Sequence, residues 1–173
     1  MSRPSTKSIA AFALDEQLLA AGVRVIFNTQ EPGEHPFCGE PLVAPGAFTY
    51  LPSQFEAAGI RVHVGGWPDL WVPKLAHVNA LVAVASGVLS EGGRIAVHCH
   101  AGFGRTGVLI ACVLLHRHPG LTGDEAIALV RARRRKCIQN KRQVNFVRGF
   151  AAARQVDGTP SPPGNTQAPH DPP

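Results

Sequence analysis

The stretch His98-Cys99-His100-Ala101-Gly102-Phe103-Gly104-Arg105-Thr106-Gly107 decides how this chain is read. Before it, Arg94–His98 has the compact apolar character of a strand; after it, an apolar helix begins near Arg105 and runs towards His118. A glycine-bearing loop between a strand and a helix can turn its backbone N–H groups towards an anion. Gly102 and Gly104 remove Cβ obstruction and permit the φ angles such a nest requires. Cys99 opens the loop beneath those donors and the positive end of the helix, which together favour a thiolate nucleophile near neutral pH. Arg105 offers a planar fork matched to two phosphate oxygens, and the Thr106 hydroxyl can donate to the thiolate when it departs.

Working outward, strands alternate with helices. Ile9–Ala21 has helical apolar spacing and stops at Gly22, Val23–Phe27 reads as a strand, and Thr29–Gly46 is a long irregular connection with four Pro and three Gly. Phe48–Tyr50 is expected as a short strand, Pro52–Ala58 as a helical turn and Ile60–Val64 as a strand. Pro73 suits the first position of a helix that carries Leu75, Val78, Val82, Ala85 and Leu89 at helical spacing. Thr122 and Glu125 form a capping-box pair for a helix to about Lys136, and a last helix covers Lys141 to Gln155. The pattern predicts an α/β fold: a single compact domain over residues 9–155, with a central mainly parallel sheet flanked by helices. Residues 1–8 are expected to be a disordered N-terminus and 156–173 a Pro-rich disordered tail.

Composition narrows the function classes. The chain has 173 residues, 45% of them apolar, enough for one domain with a real core. Its longest apolar run, Val108 to Leu115, is far short of a membrane span, and the start has no apolar signal region, so a cytoplasmic location is expected. Cys38, Cys99, Cys112 and Cys137 are too scattered for a disulfide framework. The net charge of +5 is uneven: Arg131 to Arg148 holds eight basic residues and no acid, while nine bases face twelve acids elsewhere. By charge alone that run reads as a solvated helix end. Beside an anion-binding loop it reads better as a basic approach to a phosphorylated substrate.

Chance supplies roughly 0.02 Cys-x5-Arg-[Ser/Thr] matches in a chain of this composition, and roughly 0.001 once a preceding His is required. A buried structural Cys and a His-Cys-His metal site are the competing readings. The latter suffers because neighbouring strand residues point to opposite faces. The loop resembles the signature His-Cys-x5-Arg-[Ser/Thr] of the cysteine-dependent protein tyrosine and dual-specificity phosphatase superfamily. Phe27-Asn28-Thr29-Gln30-Glu31-Pro32-Gly33-Glu34-His35 and Gly46-Ala47-Phe48-Thr49-Tyr50 extend the resemblance to its protein-tyrosine-phosphatase-domain-containing branch, similar to the cell-cycle-exit and kinase-associated phosphatases. The resemblance implies a compact phosphatase fold and hydrolysis of phosphoproteins through a cysteinyl-phosphate intermediate, with no metal and no cofactor.

Such chemistry needs an acid and then a base. Among twelve carboxylates, Asp69 stands out in Trp67-Pro68-Asp69-Leu70-Trp71-Val72-Pro73, a loop between a strand and a helix. A helix cap is the competing reading of Asp69. The segment matches the family's mobile acid loop, although Leu70-Trp71 replaces the His-Gly usual there. The resemblance further implies that Gln139 and Gln143, within Cys137-Ile138-Gln139-Asn140-Lys141-Arg142-Gln143, position the hydrolytic water. Otherwise they would be helix surface. Related sequences often have Arg-Pro before this segment, where Arg134-Arg135 stands here. His98 is expected to orient the loop by hydrogen bonding. His100, Ala101, Gly102, Phe103, Gly104 and Arg105 are expected to bind substrate, with His100 and Phe103 at the rim. Cys38 is expected to be a free buried thiol, a protective disulfide with Cys99 being the alternative.

The expected function is hydrolysis of phosphotyrosine, and also of phosphoserine or phosphothreonine, by a monomer acting on phosphorylated proteins without obligatory nucleic acid. A phosphoinositide phosphatase, an RNA 5′-triphosphatase and a catalytically inert phosphoprotein-binding module are the alternatives. Lys, found at the two rim positions of phosphoinositide enzymes in this superfamily, is absent from His100 and Phe103.

Overall fold

β1 (Val23–Asn28) is the middle strand of a parallel sheet, with β2 (Arg61–Val64) on one side and β3 (Arg94–His98) on the other. This was seen in a computed structural model that describes residues 1–156; the Pro-rich tail expected from 156 lies, past Val156, outside the described residues. β1 is nearly all buried because it packs on both faces, as a central parallel strand must. Val25 and Phe27 face one core; Val23 and Ile26 face the other. A register irregularity between Val23 and Val25 shifts the alternation there.

The larger core lies under four helices, α4 (Leu75–Ser90), α5 (Gly104–Arg117), α6 (Gly123–Arg133) and α7 (Lys141–Val156). The smaller core joins Ile9, Tyr50, Phe55 and Ile60 beneath α1 (Thr6–Phe12), α2 (Leu14–Ala20) and α3 (Pro52–Ala57). The expected architecture, a parallel sheet flanked by helices, is therefore the observed one. No helix among the described residues is long and apolar enough to cross a membrane.

Several local expectations change. Residues 1–8 are not disordered. Ser5 and Ser8 form a reciprocal capping box for α1, Thr6 N–H donates to Thr49 O at 2.9 Å, and Arg3 N–H donates to His100 O at 3.0 Å. The polar side chains there cap and pin the chain instead of solvating it. The expected Ile9–Ala21 helix is broken at Ala13, whose φ is 43°. Phe48–Tyr50 forms no strand; Tyr50 is buried by ring contacts with Phe48, Phe55 and His98. α4 starts at Leu75, two residues after Pro73. α6 ends at Arg133 because Arg134 is extended, and Arg131 turns back to donate to Cys137 O and Ile138 O at 3.0 and 2.8 Å.

His98 ends β3 as a fully buried ring whose Nε2 lies 2.8 Å from the Tyr50 hydroxyl, while Nδ1 lies 3.4 Å from Cys99 O. With the proton on Nδ1, the Tyr50 O–H donates to Nε2 and the ring stays neutral. Burial lowers its pKa to about 3, and the positive charge of Arg105 adds to the shift. Between that value and the ordinary 6.5, the unfolded chain binds a proton that the folded chain refuses. Stability is thus full above pH 6.5 and lost as pH falls towards 3, by up to about 1.4 kcal/mol per pH unit. Urea unfolding of wild type and His98→Asn between pH 7 and 5 tests this: the variant's midpoint should depend less steeply on pH, and an identical dependence refutes the assignment.

Candidate active site

The parallel strands β1 and β3 end side by side, so the loops leaving their carboxyl ends meet in one place. Thr29 fixes the junction, donating from its N–H at 3.0 Å and its hydroxyl at 2.8 Å to His98 O. From there Cys99 starts the loop, 3% exposed, and its Sγ accepts a hydrogen bond from Gly102 N–H at 3.2 Å. Gly102 has φ +77°, and a Cβ there would lie 2.3 Å from Met1 O, so both conformation and space require glycine. Phe103 precedes the first turn of α5, which aims its N-terminus into the loop.

Arg105 is completely buried, and its charge is met on several sides. Nη1 donates to Thr29 O at 3.1 Å and Trp67 O at 2.9 Å, and both Nη atoms pair with the Glu34 carboxylate. Nη2 also lies 3.3 Å from Asp69 Oδ1. Burial alone would raise the Glu34 pKa, but the hydrogen bonds and charge of Arg105 outweigh it and hold the carboxyl below its usual range. The same pairing keeps Arg105 more firmly protonated despite burial. Glu34 was not singled out in the sequence. It sits in the irregular Thr29–Gly46 connection, where no periodicity marks it and its partner is 71 residues away.

Asp69 is brought to the same place. It is half-buried, and Oδ2 lies 3.2 Å from His35 Nε2. Glu34, His35 and Asp69 hold potential ligand atoms within 4.8 Å of one another, but the Arg105 guanidinium already supplies the positive charge between the two carboxylates. A divalent cation there would face that guanidinium at close range, so these residues fit a metal poorly.

The two glutamines also arrive. A Cβ on Gly104 would lie 2.7 Å from Gln139 Oε1 and 2.8 Å from Gln143 Nε2, which explains glycine at the start of α5. Gln143 is fully buried, its Oε1 accepts from Gln139 N–H at 2.8 Å, and its Nε2 has no hydrogen-bond partner among the described residues. The Thr106 hydroxyl, Arg105 Nε and His100 Nδ1 are likewise buried without a hydrogen-bond partner, which makes four such atoms around the loop among the described residues. His100 and Phe103 are half-buried at the rim, Ala101 is exposed, and Arg134 lies 4.5 Å above the Phe103 ring while donating to Ala101 O at 3.2 Å. Cys38 is free, as expected, but exposed rather than buried, with Sγ 3.3 Å from His100 Nε2. The pocket therefore gathers Cys99, Arg105, Thr106, Asp69, Gln139 and Gln143 from three separated stretches, with Glu34 added.

Known proteins resemble this arrangement in sequence and in fold. Protein tyrosine phosphatase domain-containing protein 1 of Bos taurus is 46% identical over 150 residues, covering 87% of this chain and 19% of that protein. The chain thus spans about one fifth of that relative's length. Kinase associated phosphatase (KAP), solved with its catalytic cysteine replaced by serine, superposes with a TM-score of 0.69 at 22% identity, covering 82% of this chain and 76% of the other. PTPMT1 in complex with PI(5)P gives 0.68 at 21% identity, covering 91% and 92%. At these identities the two structures speak for the fold alone. Residues 1–119 match the family described as polymorphic toxin system, DSP-PTPase phosphatase. With the signature loop, its parallel-sheet setting and this match together, the chain belongs to that family of the cysteine-dependent tyrosine and dual-specificity phosphatase superfamily.

Proposed function

We propose that this chain hydrolyses phosphate monoesters on proteins, phosphotyrosine first, through a cysteinyl-phosphate intermediate. The observation that carries the reading is the convergence of the Cys99 thiol, the buried Arg105 fork and the Asp69 carboxyl at one loop. Arg105 keeps Nε for a phosphoryl oxygen, and the nest N–H groups take the others. Cys99 Sγ attacks phosphorus, and the bond to the leaving oxygen breaks as Asp69 protonates that oxygen. Asp69, now a carboxylate, takes a proton from a water held by Gln139 and Gln143. The hydroxyl oxygen attacks phosphorus, the S–P bond breaks, and the thiolate leaves with the Thr106 hydroxyl donating to it. Glu34 holds Arg105 in the plane this requires.

The substrate class rests on the relative's name and on the rim. Arg133, Arg134, Arg135, Lys136, Lys141 and Arg142 are all exposed around the Gln139–Gln143 segment and favour an anionic partner. A phosphoprotein fits this rim, while His100 and Phe103 supply no cation for a second phosphate inside the pocket.

Turnover of phosphotyrosine, phosphothreonine, phosphoinositide and triphosphate-ended RNA substrates, with Cys99→Ser as control, tests the reading. Phosphotyrosine should be hydrolysed fastest, and Cys99→Ser should abolish turnover. Faster turnover of RNA or lipid would replace the proposed substrate class; binding without turnover would make the chain a phosphoprotein-binding module. Asp69→Ala should lower turnover by about 10²–10⁴ for poor leaving groups and much less for good ones; equal losses argue against an acid role. Glu34→Gln should cost about ten- to a hundredfold in kcat/KM by loosening Arg105, whereas Glu31→Gln on the exposed loop should leave it within twofold.

A further inference from the structure

Leu70-Trp71 stands in the acid loop where His-Gly is usual in the resembled family, and the structure gives both residues a partner. Leu70 has φ 61°, a left-handed conformation that residues with a side chain rarely adopt. Its carbonyl accepts from Asn140 Nδ2 at 2.9 Å, and its N–H donates to Asp69 Oδ1 at 2.9 Å. Trp71 is 54% exposed, yet the Arg142 guanidinium lies over its ring at 3.9 Å from the centroid. On the inner side Trp67 Nε1–H donates to Trp71 O at 3.2 Å. The other end of the Asn140 amide is also engaged, since its Oδ1 accepts from Gln143 N–H at 3.0 Å and so caps the start of α7.

We infer that Asn140 and Arg142 are positioning residues that latch the acid loop in its closed state, holding Asp69 over the pocket from the helix that also carries Gln143. A left-handed non-glycine residue persists only where its surroundings hold it, and the Asn140 bond to Leu70 O is the contact that does so from outside the loop. The planar Arg142 face needs a flat partner of matching area, which Trp71 provides and the glycine usual at that position would not. Because Asn140 binds the acid loop with one end of its amide and caps α7 with the other, the proton donor and the proposed water-holding glutamine are set by one side chain. The kinetic arm of the test rests on the reading of Asp69 as general acid; the optical arm does not.

Asn140→Asp keeps the acceptor that caps α7 and replaces the donor to Leu70 O by a carboxylate oxygen that cannot donate, and Arg142→Lys keeps the charge while removing the planar face. In the double variant, kcat for an aryl phosphate with a poor leaving group should fall about three- to tenfold, a part of what general acid catalysis supplies. KM, and kcat for a good leaving group, should stay within about twofold. In an Asp69→Ala background the same pair should have no further effect, since no acid remains to be positioned. Equal losses for both leaving groups, or a loss that persists without Asp69, overturn the latch. The chain has two tryptophans, Trp67 and Trp71, both on this loop, so the anisotropy of its indole emission reports the loop alone. It should drop in the double variant at unchanged Tm; an unchanged anisotropy also overturns the latch. A chain that hydrolyses no phosphate ester would sink the proposed function, while the emission measurement still decides on the latch.

Discussion

The arrangement turns on one buried guanidinium. A fully buried arginine is costly unless its charge and donors are met, and Arg105 is met by Glu34, by two backbone carbonyls and, at longer range, by Asp69. These partners lie on two stretches far apart in sequence: the irregular connection that leaves β1, with Thr29 and Glu34, and the acid loop, with Trp67 and Asp69. Satisfying Arg105 therefore draws together the loops that make the pocket. Loss of Glu34 would leave most of a charge unpaired in the interior, which is why one carboxylate in an otherwise featureless loop has such leverage.

The sheet prepares this convergence. β1 and β3 are parallel neighbours, so Thr29 and Cys99 leave adjacent strand ends in the same direction. The buried Tyr50–His98 contact fixes the strand end on the other face, and the N-terminal segment crosses behind Gly102. Cys99 is thereby backed by the Tyr50–His98 pair and by the N-terminal segment, whose Met1 ammonium donates to Val97 O at 2.6 Å.

What the sequence disclosed follows from how local each feature is. The His98–Gly107 loop is a contiguous strand–loop–helix unit whose geometry is written in its own glycines, so it could be read at sight. Asp69 was readable because two prolines and a tryptophan bracket it. Gln139 and Gln143 were suggested by resemblance alone, and the structure brings both to Gly104. Glu34 was missed because its role exists only after residues 71 positions apart are brought together. The break at Ala13 and the loss of a strand at Phe48–Tyr50 have the same origin. Alanine carries no signal for a left-handed turn, and a short aromatic run packs equally well as a buried loop when rings such as His98 and Phe55 surround it.

The backbone strain follows the same geography. Among the described residues five non-glycine residues have positive φ, and four of them, His35, Leu70, Lys136 and Ile138, belong to the segments that wall the pocket. Each such residue costs on the order of 1–3 kcal/mol, a cost the rest of the fold must offset. His35 places a ring against Asp69 and His100; Leu70 exposes a carbonyl to Asn140; Lys136 and Ile138 turn the chain out of α6 so that Ile138 N–H can reach Phe103 O at 3.2 Å. Regular helices and strands cannot bring four loops to one guanidinium and one thiol at hydrogen-bond distance, because their side chains emerge at fixed intervals. Conformations outside those regular states supply the missing angles. The residues that a local reading handles worst are for that reason concentrated around the chemistry, and the basic segment from Arg131 to Arg142 acquires a structural meaning beyond its charge: it is the strap that ties the phosphate loop to the acid loop.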